Sequence, residues 1–245
     1  MDNLYQPIHT LKLISENLWI VDGPIIHFYG MPFTTRMVVI RLANNDILIH
    51  SPINLTSSLK KELDELGNVK YLISPNKIHY WYIQDFQKAY PEAITFASDG
   101  VQKRSKKAGQ EIHWNMELKD IDRDYFPDLE IIPMSGNRFM TEYTFFHIPS
   151  KSWIVTDIIE NFEANKINPF FRILAYVGGA LHPNGGTTRD QRTLFWGNHK
   201  LLNKSIDRIK SLNPNRIIMT HGKILDQDIA SELNRIFAWV GRDIF

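Results

Sequence analysis

Apolar and polar positions along the first half of the chain alternate in short runs of strand type. Leu18-Trp19-Ile20-Val21-Asp22 and Ile25-Ile26-His27-Phe28-Tyr29 flank Gly23-Pro24, a pair that predicts a turn. Met37 to Leu42 and Ile47 to His50 flank Asn44-Asn45-Asp46, the pattern of a hairpin. Apolar spacing then changes to the helical period over Ser57 to Leu66, with Thr56 and Ser57 as caps and Gly67 closing the helix. Val69 to Ser74 predicts a buried strand, Trp81 to Tyr90 a helix stopped by Pro91, and Ile94 to Ala97 another strand. From Asp99 to about Asp128 the chain is polar with little periodicity.

Strands resume at Leu129–Pro133, Glu142–His147 and Trp153–Thr156, with Pro149-Ser150-Lys151-Ser152 turning between the last two. Beyond Asp157, Phe170–Val177 and Leu201–Leu212 predict helices. Gly178-Gly179 and Pro183-Asn184-Gly185-Gly186 mark a long irregular connection between them. A last strand, Arg216–Thr220, leads into His221-Gly222, and an amphipathic helix follows over about Asp226 to Val240. Helices interleaved with strands predict a layered α/β domain. No repeat or low-complexity linker divides the chain, so residues 1–245 are expected to form one domain of two βαβ-like halves.

Composition narrows the chemistry. The chain has 245 residues, 43% of them hydrophobic, enough for a substantial core. A formal charge of +1 supplies no overall field, so neither nucleic acid nor a membrane is an expected partner. The five residues Lys103 to Lys107 are expected to be a solvated helix face or loop. Cysteine is absent, which excludes disulfides, thiolate metal sites and a cysteine nucleophile. The polar start, Met1 to Pro7, lacks a signal-peptide pattern, and no apolar run has membrane-spanning length. A cytoplasmic location is the expectation.

Nine histidines direct attention to His, Asp and Glu constellations. His50, Asp157 and His221 each stand directly after an apolar strand, and His79 follows the Val69–Ser74 strand by a few residues. Strand ends are where layered α/β folds collect their sites, although such residues also cap turns. Phe28 to Phe33 is an aromatic run that lines a pocket or covers a core edge. Phe170-Phe171, just after Pro169, is expected to be buried by the helix it opens, and Trp81, Tyr82 and Phe86 are expected in the core. Thr187-Thr188-Arg189-Asp190 reads as solvated loop. The Gly pairs form no phosphate loop, and no Gly-x-Ser-x-Gly elbow occurs.

In motif order from about Leu18 to His221, the sequence resembles the metallo-β-lactamase superfamily, and more closely an uncharacterised branch of it. The resemblance implies a four-layer αββα sandwich. Where the superfamily ends an early strand in an acid and a small residue, this chain has Leu48-Ile49-His50-Ser51-Pro52. Its hallmark Thr-His-x-His-x-Asp-His is matched by Ser74-Pro75-Asn76-Lys77-Ile78-His79-Tyr80. Its Gly-turn histidine is matched within Ser135-Gly136-Asn137, its later aspartate by Asp157, and its last His-Gly by His221-Gly222.

The first metal site of the superfamily needs three histidines, and those places hold Pro75, Lys77 and Asn137. Proline offers no ligand, and an ammonium repels a divalent cation. The second site retains His79, Asp157 and His221. Two imidazoles and a carboxylate suit one zinc, iron or manganese ion. The resemblance therefore implies a mononuclear metal-dependent hydrolase of a small ester or phosphoester, with Lys77 binding an anionic substrate group or stabilising an oxyanion, and His50 adding a fourth ligand, supporting another ligand or serving the reaction. The alternative is a metal-free, non-catalytic member of the fold that binds a small anionic ligand through Lys77. Oligomeric state is not readable from the sequence.

Overall fold

The structure is a computed structural model that describes residues 4–28 and 30–241. The chain divides into two compact units. One comprises Leu4–Ile26 and Thr34–Glu130; the other comprises His27–Phe33 and residues 131–241.

The N-terminal unit is built on a seven-stranded sheet of order β1-β2-β3-β4-β5-β6-β7, whose neighbours follow chain order. Its strands are β1 (Lys12–Ser15), β2 (Leu18–Phe28), β3 (Met31–Arg41), β4 (Asp46–His50), β5 (Asn68–Ile73), β6 (Ile94–Ala97) and β7 (Met116–Glu117). β3 and β4 form the expected antiparallel hairpin, with Val38 opposite His50. From β4 onward the strands run parallel, joined by the helices α1 (Ser57–Leu66), α2 (Ile83–Ala89) and α3 (Val101–Lys107). Thr56 caps α1 by accepting the Leu59 amide on Oγ1, and the Gly67 amide closes on the Leu63 carbonyl. Val21, Met37, Ile47 and Ile49 pack with Leu59, Leu63, Leu72 and Phe86 in its core.

One expectation fails here. Gly23-Pro24 is not a turn: β2 runs straight through it. The Pro24 carbonyl accepts a hydrogen bond from Thr35 Oγ1, and a Cβ at position 23 would collide with Thr35. The glycine thus marks close approach between strands rather than a reversal. Lys103–Lys107 lies on α3, one of the two readings the sequence left open. Burial of only Val101 and Ser105 leaves that helix too few apolar positions to show a period.

The C-terminal unit carries a four-stranded sheet of order β11-β10-β9-β8, formed by β8 (Leu129–Met134), β9 (Glu142–His147), β10 (Ser152–Val155) and β11 (Arg216–Met219). β9 and β10 are antiparallel, whereas β10 and β11 are parallel with Val155 opposite Met219. Helices α4 (Pro169–Gly178), α5 (Arg189–Leu194), α6 (His199–Leu212) and α7 (Ile229–Ile236) complete the unit. Phe146, Trp153, Ile217 and Met219 pack with Ile206, Leu233 and Ile236 from α6 and α7. The connection expected to be irregular thus holds α5. Thr187 and Thr188 at its start are buried rather than solvated.

Candidate metal centre

The strand register of the C-terminal unit determines the central pair. Because β10 and β11 are parallel neighbours with Val155 across from Met219, the residues two further on, Asp157 and His221, leave the sheet side by side. Nε2 of His221 lies 3.2 Å from Oδ1 of Asp157, and both side chains are buried.

Each backbone is tied down separately. Glu142, at the start of β9, is buried and its carboxylate accepts three backbone N–H groups: Thr156 on Oε1 at 2.6 Å, and Asp157 and Ile158 on Oε2 at 2.8 and 2.9 Å. The Asp157 carbonyl accepts from Gln191 Nε2 of α5 at 2.7 Å. The His221 carbonyl accepts the Asn161 amide, and Gly222 follows with φ of 106°. At Gly222 a side chain would strike the Asn161 carbonyl. The His-Gly pair is therefore a steric requirement. Phe33 stands edge-on to the His221 ring at 5.1 Å and Phe162 stacks at 6.4 Å, so the imidazole is held between two aromatic rings. The Phe28–Phe33 run thus contributes Phe33 to the site, and Tyr29 lies outside the described residues.

Carboxylates crowd this region. Glu160 is buried, and its pKa is pushed well above the usual carboxylate range, first by burial and then by the charges of Asp157, Asp190 and Glu142.

In the N-terminal unit, the loop after β5 positions His79. Ser74 Oγ donates to the carbonyls of Asn76 and His79, while Asn76 Oδ1 accepts the amides of Ile78 and His79. Nδ1 of His79 is 2.7 Å from Ser51 Oγ. When Nδ1 carries the proton and donates to Ser51, Nε2 keeps its lone pair for a metal. Ser51 adopts φ of 54°, a left-handed conformation directly after His50 that lets the chain turn sharply at the end of β4. His50 is fully buried, and its pKa is lowered to about 3 by burial first, then by His79, partly offset by a backbone hydrogen bond. It is a neutral imidazole throughout the physiological range. Lys77 is half-buried, with its pKa lowered by burial and by Arg104.

Pro75 and Asn137 stand at places where the resemblance implies histidines. Pro75 is buried, and Asn137 Oδ1 accepts the amides of Phe139 and Met140, forming a local turn. Asp157 and His221 in the C-terminal unit each offer a ligand atom to a metal ion, and His79 in the N-terminal unit offers one as well.

Comparison with solved structures assigns the architecture. A metallo-beta-lactamase from Pontibacter korlensis superposes with a TM-score of 0.62 at 10% identity, covering 95% of this chain and 99% of that one. The chain has a metallo-β-lactamase-like fold. A metallo-beta-lactamase from Hirschia baltica gives 0.60 at 11% identity, with 93% and 96% covered. The metal-soaked Flv1 flavodiiron core from Synechocystis sp. PCC6803 gives 0.59 at 11% identity, covering 94% of this chain and 60% of that one. In sequence, a family model described as a domain of unknown function (DUF4336) matches residues 16–103. A comparison with curated proteins finds no match. Identities this low carry the metallo-β-lactamase-like fold and no activity.

Sequence reasoning missed Glu142 and Gln191, which hold Asp157 by its backbone. An acid opening an otherwise apolar strand is the one signal that could have revealed Glu142.

Proposed function

We propose that this protein is a mononuclear metal-dependent hydrolase of a small ester or phosphoester, with His79, Asp157 and His221 as ligands. The carrying observation is the buried Asp157–His221 pair, set at the ends of neighbouring parallel strands and fixed by Glu142, Gln191 and Gly222. Two imidazole nitrogens and one carboxylate oxygen suit zinc, iron or manganese. Carboxylate crowding around Asp157, which raises the pKa of buried Glu160, is eased by a cation there. A bound ion would supply a water of lowered pKa and polarise the scissile bond.

The chain's own residues account for the rest. Ser51 orients the His79 ring, and Phe33 and Phe162 fix the plane of His221 and exclude water from it. Lys77 is assigned the anionic part of the substrate, and His50, neutral and close enough to interact with His79, is assigned a supporting role. Pro75 and Asn137 fit no second ion, so no two-metal step is assigned.

A second reading has its own support. The direct approach of His221 to Asp157 at 3.2 Å satisfies both groups without an ion, as in a metal-free protein that binds a small anion. Calorimetric titration of the purified chain with zinc, iron(II) and manganese(II) separates the two. The hydrolase reading expects one equivalent bound, loss of binding in His79→Ala and Asp157→Ala, and metal-dependent turnover within a panel of nitrophenyl esters and phosphoesters. A chain that binds none of the three ions is the metal-free protein instead.

A further inference from the structure

Helix α5 (Arg189–Leu194) anchors the candidate centre through Gln191, which donates to the Asp157 carbonyl, and it also carries two arginines. Arg189 and Arg192 are three residues apart and therefore share one face of the helix. Both run past Gly179, the left-handed residue that closes α4. A Cβ on Gly179 would lie 3.8 Å from Arg192 Nη2 and 4.0 Å from Arg189 Cγ, so the two side chains converge on one point. Arg192 is half-buried and held in place. Its Nε donates to the Thr187 carbonyl at 2.8 Å, and its guanidinium carbon lies 5.7 Å from the centre of the Trp239 ring. Neither contact uses the terminal nitrogens.

The surroundings supply donors and lack an acceptor. Among the described residues no carboxylate pairs with Arg189 or Arg192, and Nη1 and Nη2 of Arg192 make no hydrogen bond. Glu232 on α7 is committed to Arg235 at 2.6 Å, and Arg235 donates further to the carbonyls of Asn184 and Gly185. Asp190 is exposed beside Arg189 in the chain and forms an ion pair with neither arginine; its charge acts on Glu160. The indole Nε1–H of Trp239, whose ring Arg192 covers, is buried without an acceptor. Burial, then Arg189, then Arg235 lower the pKa of the Arg192 guanidinium, as expected of a positive cluster short of counter-charge. Interaction with the C-terminal end of α4 accounts for cations near Gly179. It does not account for a buried N–H left unpaired beside them.

We propose that Arg189 and Arg192 form a binding site for a phosphate group, separate from the Asp157–His221 pair. The terminal nitrogens of Arg192 take two phosphate oxygens side by side, and Arg189 takes a third. Two converging guanidiniums favour a dianion over a monoanion, and Arg235 adds its field without touching the ligand. Inorganic phosphate and the phosphate of a small phosphorylated molecule present the same oxygens to this fork. The site needs no metal ion, so it stands or falls independently of the hydrolase reading.

Calorimetric titration of the chelator-treated full chain tests this, at mildly alkaline pH where phosphate is a dianion. Inorganic phosphate should bind at one equivalent, and acetate about tenfold more weakly or worse. Arg189→Gln alters an exposed side chain, so thermal unfolding should be unchanged while phosphate binds about tenfold more weakly. Arg192→Lys keeps the charge but loses the fork, and should weaken phosphate by about the same factor. Phenyl phosphate that matches or exceeds inorganic phosphate assigns the site to a phosphorylated small molecule; weaker binding assigns it to the free ion. No saturable binding, equal affinity for phosphate and acetate, or unchanged phosphate affinity in both arginine variants overturns the proposal. So does phosphate binding that survives both arginine variants and disappears in Lys77→Gln, which would place the anion at Lys77.

Discussion

Replacing Glu142 by glutamine changes the shape of the site's anchor very little and its chemistry a great deal. The carboxylate accepts three backbone N–H groups through two oxygens, all in buried surroundings. A glutamine keeps one oxygen. Placed at the Oε2 position it still serves Asp157 and Ile158, but its NH₂ then faces the Thr156 N–H, donor to donor. One charge-assisted hydrogen bond is lost, worth about 1.5–3 kcal/mol, and a buried donor is left unsatisfied at a further cost of about 1 kcal/mol or more. The remaining two bonds weaken as their acceptor loses its charge. The expected destabilisation is therefore about 3 kcal/mol, or roughly 6–12 °C in Tm for a chain of this length. Circular dichroism melts measure the total, and amide hydrogen exchange measures the location. Protection should fall at Thr156, Asp157 and Ile158 before it falls at Phe145 or Ile217 in the sheet interior. A Tm within about 2 °C of the parent, or unchanged protection at those three amides, would refute the assigned role.

Three further outcomes follow from the same geometry. Because the folded pKa of His50 is depressed to about 3, the unfolded chain takes up a proton below about pH 6.5 that the folded chain refuses. Stability from this group is complete above pH 6.5 and falls by about 1.4 kcal/mol per unit as pH drops towards 3. Urea midpoints at neutral and acidic pH should show a shallower fall in His50→Asn, and parallel slopes would contradict this. Asp22 is buried between Lys12 and Arg36, each at 2.8 Å, so Asp22→Asn leaves the Arg36 charge uncompensated and should cost about 3 kcal/mol in urea unfolding. Gly222→Ala forces a Cβ onto the Asn161 carbonyl at φ of 106°, with an expected loss on the order of 3 kcal/mol in thermal melts. A near-neutral variant would mean that the His221 turn is not sterically fixed.

Much of this fold is legible because its strands are short apolar runs that end in polar residues. β6 and β9 fall at the expected limits, and β10 and β11 start or stop within a residue of them. Asp157 and His221 could be singled out for the same reason, since both follow strands directly. Gly23-Pro24 misled because a proline in a strand is expected only at an edge or a bulge, whereas here the neighbouring glycine permits a close strand approach. Helix α5 was hidden by the glycines and threonines before it, and Thr188 at its N-cap position has no side-chain capping bond to signal a helix start. The exposure of Phe170 was illegible in principle: hydrophobic spacing predicts an apolar face and says nothing of what covers it. Glu142 was overlooked because its partners are backbone amides, which leave no mark in the side-chain pattern.

In a zinc finger the ion is the keystone, and removing it dissolves the domain. Here the loop that presents Asp157 is held by Glu142, a residue that would not touch the ion. Architecture and cargo are uncoupled. Such a scaffold keeps the Asp157 loop in place by backbone contacts rather than by a bound ion. The position of Asp157 is then set by an anchor fifteen residues upstream, and a change at the centre need not disturb the loop that carries it.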